Sequence, residues 1–427
     1  MVRIYAILAI TIGGTIWFYH FRASARLSVW WNVPLTLIAI LVIGASQHQL
    51  AGATHEATHH TLFKNRYLNE LVSDWFCMFP LFSSTYQFRL HHLAHHQFIN
   101  DPVRDPDFSQ LKMSGHWLEF PASKWRFCAL LLKQLWLPNL LKYVWARARY
   151  DSVGHGDNPY TSGVDKPSQL LFVAAVAYSV VLCVVLRLCM NHDELMLFCV
   201  TPFGFLIAAA AFVWSLPKRS FVRSRLKPVI PLRTTAFLRV LFLTLLFTAF
   251  GAMTYWTGVW IGKYFLLLWI VPLLTSFGFF MLLRQLIQHG NGGRGWLNNT
   301  RVFFVNPLIR YAVFPFGMDY HLPHHMYATV PHYRLPALHE FLLKYPDYAA
   351  QGLVVENYFI PKHRDPPRNP TVLEVIGPDY AVPDSHEVFI DETVLDGWDV
   401  EERDQISRHG LISRGEAQTM NAVGKNA

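Results

Sequence analysis

The chain is poor in charge. Of its 427 residues only 15% are Asp, Glu, Lys or Arg, well short of the roughly 25% of an ordinary soluble domain. Such a sequence cannot face water on all sides. Cysteine is scarce as well. Cys77, Cys128, Cys183, Cys189 and Cys199 form no CxxC and no paired spacing, which excludes a disulfide scaffold and a zinc ribbon. The Gly-rich stretch 290–295 has no strand before it, so a phosphate-binding loop is excluded. No internal repeat, haem-binding pattern or dinucleotide fingerprint is present, and nothing points to a nucleic acid partner. What is abundant is apolar and aromatic: 52% hydrophobic and 15% aromatic residues, with 21 histidines. That composition excludes disorder and coiled coil.

A bilayer core takes about 20 mostly apolar helical residues. Six stretches meet or approach that length, at 4–19, 29–46, 170–190, 195–214, 236–256 and 261–283. Shorter apolar runs at 75–82 and 127–141, interrupted by Pro80 and Pro138, read as interfacial or re-entrant. Between the fourth and fifth stretches lie Lys218, Arg219, Arg223, Arg225, Lys227 and Arg233 with no acid, so the positive-inside rule makes that loop cytoplasmic. The turn Asn191-His192-Asp193-Glu194 has no Lys or Arg and reads as external. Six spans in that orientation put 51–167 and 284–427 in the cytoplasm; Arg22 and Arg26 do not fit it. A small-residue site at Ala23-Ser24-Ala25 imitates signal cleavage, which Arg22 and the length of the first apolar run oppose. The expected organisation is a first transmembrane hairpin (1–50), a cytoplasmic segment (51–167), further spans (168–283), a second cytoplasmic segment (284–360) and a tail (361–427). The tail carries a net charge of −6 and leaves +14 on the body, a balance suited to anionic lipid headgroups beside the body and to a solvated tail.

The histidines cluster. HEATHH occupies 55–60, HHLAHH 91–96 and HLPHH 321–325, with His289 alone between the last span and the third cluster. On a helix, residues at i, i+3 and i+4 share one face. His55 and His59 therefore point together, as do His92, His95 and His96, and His321, His324 and His325. Imidazole is a ligand for iron, copper, zinc or nickel. Eight imidazoles plus His289 exceed what one metal takes, whereas two metals with four or five ligands each use them all. His60 and His91 are read as supernumerary, His48 as a helix-end residue, and His116, His332 and His339 as surface or packing residues. A rival reading takes His55-Glu56-Ala57-Thr58-His59 as the HExxH of a zinc membrane metalloprotease, but it leaves the other two clusters unexplained. Metal transport needs ionisable residues along the spans, and these have almost none.

The three clusters resemble the histidine boxes of the membrane fatty acid desaturase family. The order is similar: two spans, an HxxxH box, an HxxHH box, further spans and a last HxxHH. The flanks agree as well, with HLAHHQFINDPVRDPD at 92–107 and HLPHHMYATVPHYRLPALH at 321–339. The resemblance covers roughly 30–345. Departures are Tyr327-Ala328 where the family often has Phe-Pro, Glu56 where many members have Asp, and six spans where four are usual. The pair at 170–214 thus reads as an addition or as partly interfacial.

The resemblance implies an all-α polytopic bundle of four to six spans, with a cytoplasmic helical cap around a non-haem di-iron centre. Its implied ligands are His55, His59, His92, His95, His96, His289, His321, His324 and His325. Glu56, Asp105, Asp107 and Asp319 are candidates to orient imidazoles, and Gln285, one turn before His289, to hold a water. The implied reaction uses O2 and two external electrons to place a double bond in a lipid acyl chain. Hydroxylation or ketolation of a lipid or carotenoid is the alternative. With no electron carrier fused to the chain, the expected donor is a ferredoxin or a b5-type cytochrome, drawn to the basic stretches 142–149 and 218–233. Membrane lipids are the other expected partners, in a bacterial inner membrane or the endoplasmic reticulum. Phe82, Tyr86, Phe88, Tyr320 and Tyr327 are candidates to line an acyl tunnel.

Overall fold

The computed structural model describes residues 1–161, 169–362 and 368–382; most of the acidic tail lies outside the described residues. The fold is an all-α polytopic membrane bundle. Six helical stretches are long and apolar enough to cross a bilayer: Val2–Ser24, Val29–Thr58, Leu170–Asn191, Leu195–Ser215, Leu232–Thr257 and Gly262–His289. Each coincides with one of the six apolar runs. The second and sixth continue past those runs, to the first box and to His289.

The first span is α1 (Val2–Ser24), which packs on α2 (Asn32–Thr58). Four shorter helices follow before the next spans: α3 (Arg66–Ser73), α4 (Thr85–Gln97), α5 (Pro106–Ser114) and α6 (Lys124–Lys133). A fifth, α7 (Leu137–Ala148), starts at the Pro138 that breaks the apolar run. Next come α8 (Leu170–Asn191), α9 (Leu195–Ser215) and α10 (Leu232–Thr257), which pack on one another. The last span is built of pieces: α11 (Gly262–Phe265), a π turn at Leu266–Ile270, α12 (Val271–Leu274) and α13 (Ser276–His289). The break falls at Thr275 (φ −122°, ψ −89°). There Ser276 Oγ donates to the Ile40 carbonyl of α2 at 2.6 Å, which ties the break to the neighbouring helix.

Close approach explains how α2 and α13 meet. A Cβ on Gly44 would stand 2.7 Å from the Phe277 nitrogen, so only glycine fits. Beyond α13, α14 (Pro307–Val313) lies against α2, and α15 (His321–Met326) carries the third box. Two short strands, β1 (Val302–Phe304) and β2 (Val354–Glu356), pair in parallel with Val302 opposite Val354. Val302 also bridges Tyr320, and Leu322 N–H donates to the Arg301 carbonyl at 3.3 Å. This small pair, absent from the all-α expectation, ties the start of α15 to the segment leaving α13.

Candidate metal centre

Helix ends set the site. α2 ends one residue before His59, and His60 takes a left-handed conformation (φ 58°) that stops the helix. The last carbonyls of the helix accept side-chain donors from neighbouring helices. Asn69 Nδ2 donates to Ala57 at 2.8 Å, and Arg89 donates to Ala57 and Thr58 at 3.0 and 3.2 Å. Arg89 is held in turn by both oxygens of buried Glu70, at 3.1 and 2.6 Å. One guanidinium on α4 thereby fixes the first box against the second. It also sits where the dipole of α2 favours a cation.

Nine imidazoles converge from the ends of α2 and α13 and from α4 and α15. They form two groups, within each of which the candidate ligand atoms lie within 4.8 Å of one another. One group is His55, His59, His92, His96 and His324; the other is His95, His289, His321 and His325. All nine expected ligand positions are therefore brought together, while His60 and His91 stand outside both groups. The partition departs from the shared-face expectation. His95 and His96 are adjacent residues about 100° apart on α4, so they serve different groups. The α15 box divides in the same way, with His324 on one side and His321 and His325 on the other.

The donor set fits a pair of metal ions. Nε2 atoms approach at 2.9 Å (His59–His92), 3.1 Å (His96–His324), 3.2 Å (His95–His289), 2.9 Å (His289–His321) and 3.1 Å (His321–His325). Adjacent corners of an octahedron with ~2.1 Å metal–nitrogen bonds are ~3.0 Å apart. Nε2 of His55 is buried with no hydrogen-bond partner, and a coordination bond is what such an atom lacks. His321 Nε2 approaches two other Nε2 atoms, more than one neutral imidazole nitrogen can satisfy by hydrogen bonding.

Charge states agree. Burial, then repulsion among the rings, holds His59, His92, His96, His321, His324 and His325 well below the usual histidine range. They are neutral near pH 7 and present lone pairs. His95 differs. Burial would lower its pKa too, but Asp105 and Asp107 outweigh that and raise it. Its Nδ1 donates to both Asp105 oxygens, at 3.0 and 3.1 Å, which turns Nε2 toward the group. Asp105 also caps α5 by accepting from Asp107 N–H at 2.9 Å. His289 is fixed likewise, its Nδ1 lying 3.1 Å from the Asn299 carbonyl.

The remaining expectations fare unevenly. Asp107 stands 3.8 Å from His95, within reach of its charge but not of a hydrogen bond; it accepts from His91 at 2.5 Å and Arg147 at 3.0 Å. Glu56 lies 3.7 Å from His55 Nδ1 and accepts from His332 Nδ1 and N–H, both at 3.0 Å. A carboxylate so engaged is not placed as the general base of an HExxH protease. Asp319 pairs with Arg310 at 2.8 Å and so faces a cation, not an imidazole. Gln285 accepts from Tyr143 and donates to Gln110, both at 2.9 Å. His116, His332 and His339 are not free surface residues: they bond Gln134, Glu56 and Tyr348.

A cavity of about 30 Å³ touches both groups, lined by His55, His92, His95, His289 and His321 together with Arg147, Arg284, Gln285 and Gln288. Phe88 and Arg147 are shared with an apolar cavity of about 240 Å³ that also borders Phe82, Met78, Phe277 and Met281. Ser152, Val153 and Phe172 are shared in turn with a third, of about 100 Å³, beside Tyr86. Leu171, Ala236 and Arg239 border the last, about 790 Å³ among α8, α9 and α10. Phe82, Tyr86 and Phe88 thus border this series. Tyr320 and Tyr327 instead belong to the apolar cluster around Leu322. Arg147 was missed: within the basic stretch 142–149 it reads as a surface charge, yet it is buried between Asp107 and Asp151. Its i,i+4 spacing to Asp151 was the available signal.

A sequence profile described as "Fatty acid desaturase" matches residues 28–217 and 190–354. The chain is also 33% identical to the "Dihydrorhizobitoxine desaturase" of Bradyrhizobium elkanii over 124 residues, covering 27% of this chain and 33% of that relative. The matched part thus spans about a third of the relative's length.

Proposed function

Because the chain belongs to the fatty acid desaturase family, we propose that it is a membrane di-iron desaturase acting on a lipid acyl chain. The observation that carries the reading is the pair of histidine groups bordering one cavity, which shares Phe88 and Arg147 with an apolar one. Ligands would be His55, His59, His92, His96 and His324 for one iron, and His95, His289, His321 and His325 for the other. Two irons there would supply the O2 activation and C–H cleavage that no side chain performs.

The protein's own part is placement. Asp105 holds His95 and the Asn299 carbonyl holds His289, so both rings keep one tautomer. Phe88 and Arg147 stand where the apolar and polar cavities meet and set how deep a chain enters. Overall, O2 takes two electrons and two protons from the adjacent C–H bonds, and two of each from outside; two waters and one double bond result. The outside electrons would come from a ferredoxin or b5-type cytochrome docking on the cytoplasmic face, where the histidine boxes would lie. The relative's name supports desaturation over hydroxylation.

The test is mass spectrometry of lipids, with double-bond localisation, in cells expressing the chain or its His95→Ala variant. A two-unit mass loss that needs His95 is the expected result. A gain of sixteen units instead would make the protein a hydroxylase.

A further inference from the structure

The cavity beside the histidine groups is not built for hydrocarbon alone. Two guanidinium groups line it, from Arg147 on α7 and Arg284 on α13. Arg147 is neutralised by Asp107 and Asp151. Arg284 is not. Among the described residues it makes no ion pair, its Nε is shielded from solvent without a partner, and its hydrogen bond is to the Met318 thioether; Asp107, which lines the same cavity, is held by His91 and Arg147. A guanidinium partly withdrawn from water without an anion bound to it is costly. The arrangement calls for a small anion in the cavity, within reach of Arg284.

We propose that this anion is the substrate's own carboxylate. Arg284 receives it in the two-pronged geometry that guanidinium and carboxylate share, and the hydrocarbon runs past Phe88 into the apolar cavity bordered by Met78, Phe277 and Met281. The space between Arg284 and the imidazoles is small, about 30 Å³. The carbons oxidised therefore lie within a few bonds of the carboxyl group. The substrate is a free acid, since an ester or thioester has no carboxylate to offer. This rests on the desaturase reading and narrows its substrate class.

Equilibrium dialysis of the purified full chain with radiolabelled hexanoate tests it, with hexanamide as the uncharged twin and metal content measured alongside. Wild type should bind hexanoate saturably and hexanamide at least about tenfold more weakly. Arg284→Gln should lose that preference with metal content unchanged, and Arg284→Lys should keep part of it. Equal binding of acid and amide, or an unaltered preference in Arg284→Gln, overturns the proposal. The acid-against-amide comparison on wild type decides the matter even if Arg284→Gln does not fold. Double bonds that depend on His95, together with no hexanoate binding, would sink this inference and leave the desaturase reading standing. Hexanoate held through Arg284 with no unsaturated product anywhere would do the reverse.

Discussion

Helices α8 and α9 and helix α2 are alike in crossing length, yet they bury opposite kinds of side chain. α8 buries Leu182, Leu186 and Cys189, and α9 buries Phe198, Pro202, Ala209 and Val213. α2 buries every residue from Ile43 to Thr58, among them Gln47, His48, Gln49, His55 and Glu56. Three of them donate to carbonyls of neighbouring segments: Gln47 to Trp269 at 2.9 Å, His48 to Ala312 at 2.8 Å, Gln49 to Tyr311 at 2.6 Å. The first group meets lipid along its length. The second starts in lipid and ends inside protein, where polar side chains are affordable because neighbours satisfy them.

The sharpest way to break that contrast is a histidine. His324→Ala removes a donor from the five-membered group and should lower product at least about a hundredfold, read by lipid mass spectrometry. Leu197→Ala, on an exposed position of α9, should leave product and metal content unchanged. Next comes Glu70→Ala. It strands Arg89 beside the end of α2 and should cost about 3–5 kcal/mol, as broken buried pairs do, read as a lower denaturant midpoint. Asp105→Ala frees His95 to turn and should weaken metal binding about 10–100-fold, measured by competition with a chelator. The smallest effect is a matched pair. Gly44→Val pushes α2 from α13 and should cost about 1–3 kcal/mol. Gly204→Ala on α9 meets nothing within 4 Å and should change stability by less than about 0.5 kcal/mol.

The same contrast explains what could be read from sequence. Runs of apolar residues announce α8–α10 because lipid tests every position of such a helix. The boxes announce themselves by spacing, since His55/His59 and His92/His96 each fall one turn apart. The partition of the ligands was not legible, because it depends on where α4 and α15 lie relative to one another. Nor was the Glu56–His332 pair, whose partners are 276 residues apart. Arg284 stands one residue past the apolar run 261–283, where no spacing marks it. Only the fold shows that its guanidinium lines the cavity beside the histidines.

The central claim is that nine imidazoles hold two metal ions. Elemental analysis of the purified full chain by plasma mass spectrometry addresses it directly. Two irons per chain, lost from one group in His324→Ala and from the other in His321→Ala, is the expected result. A single zinc per chain, unaffected by either substitution, would contradict it.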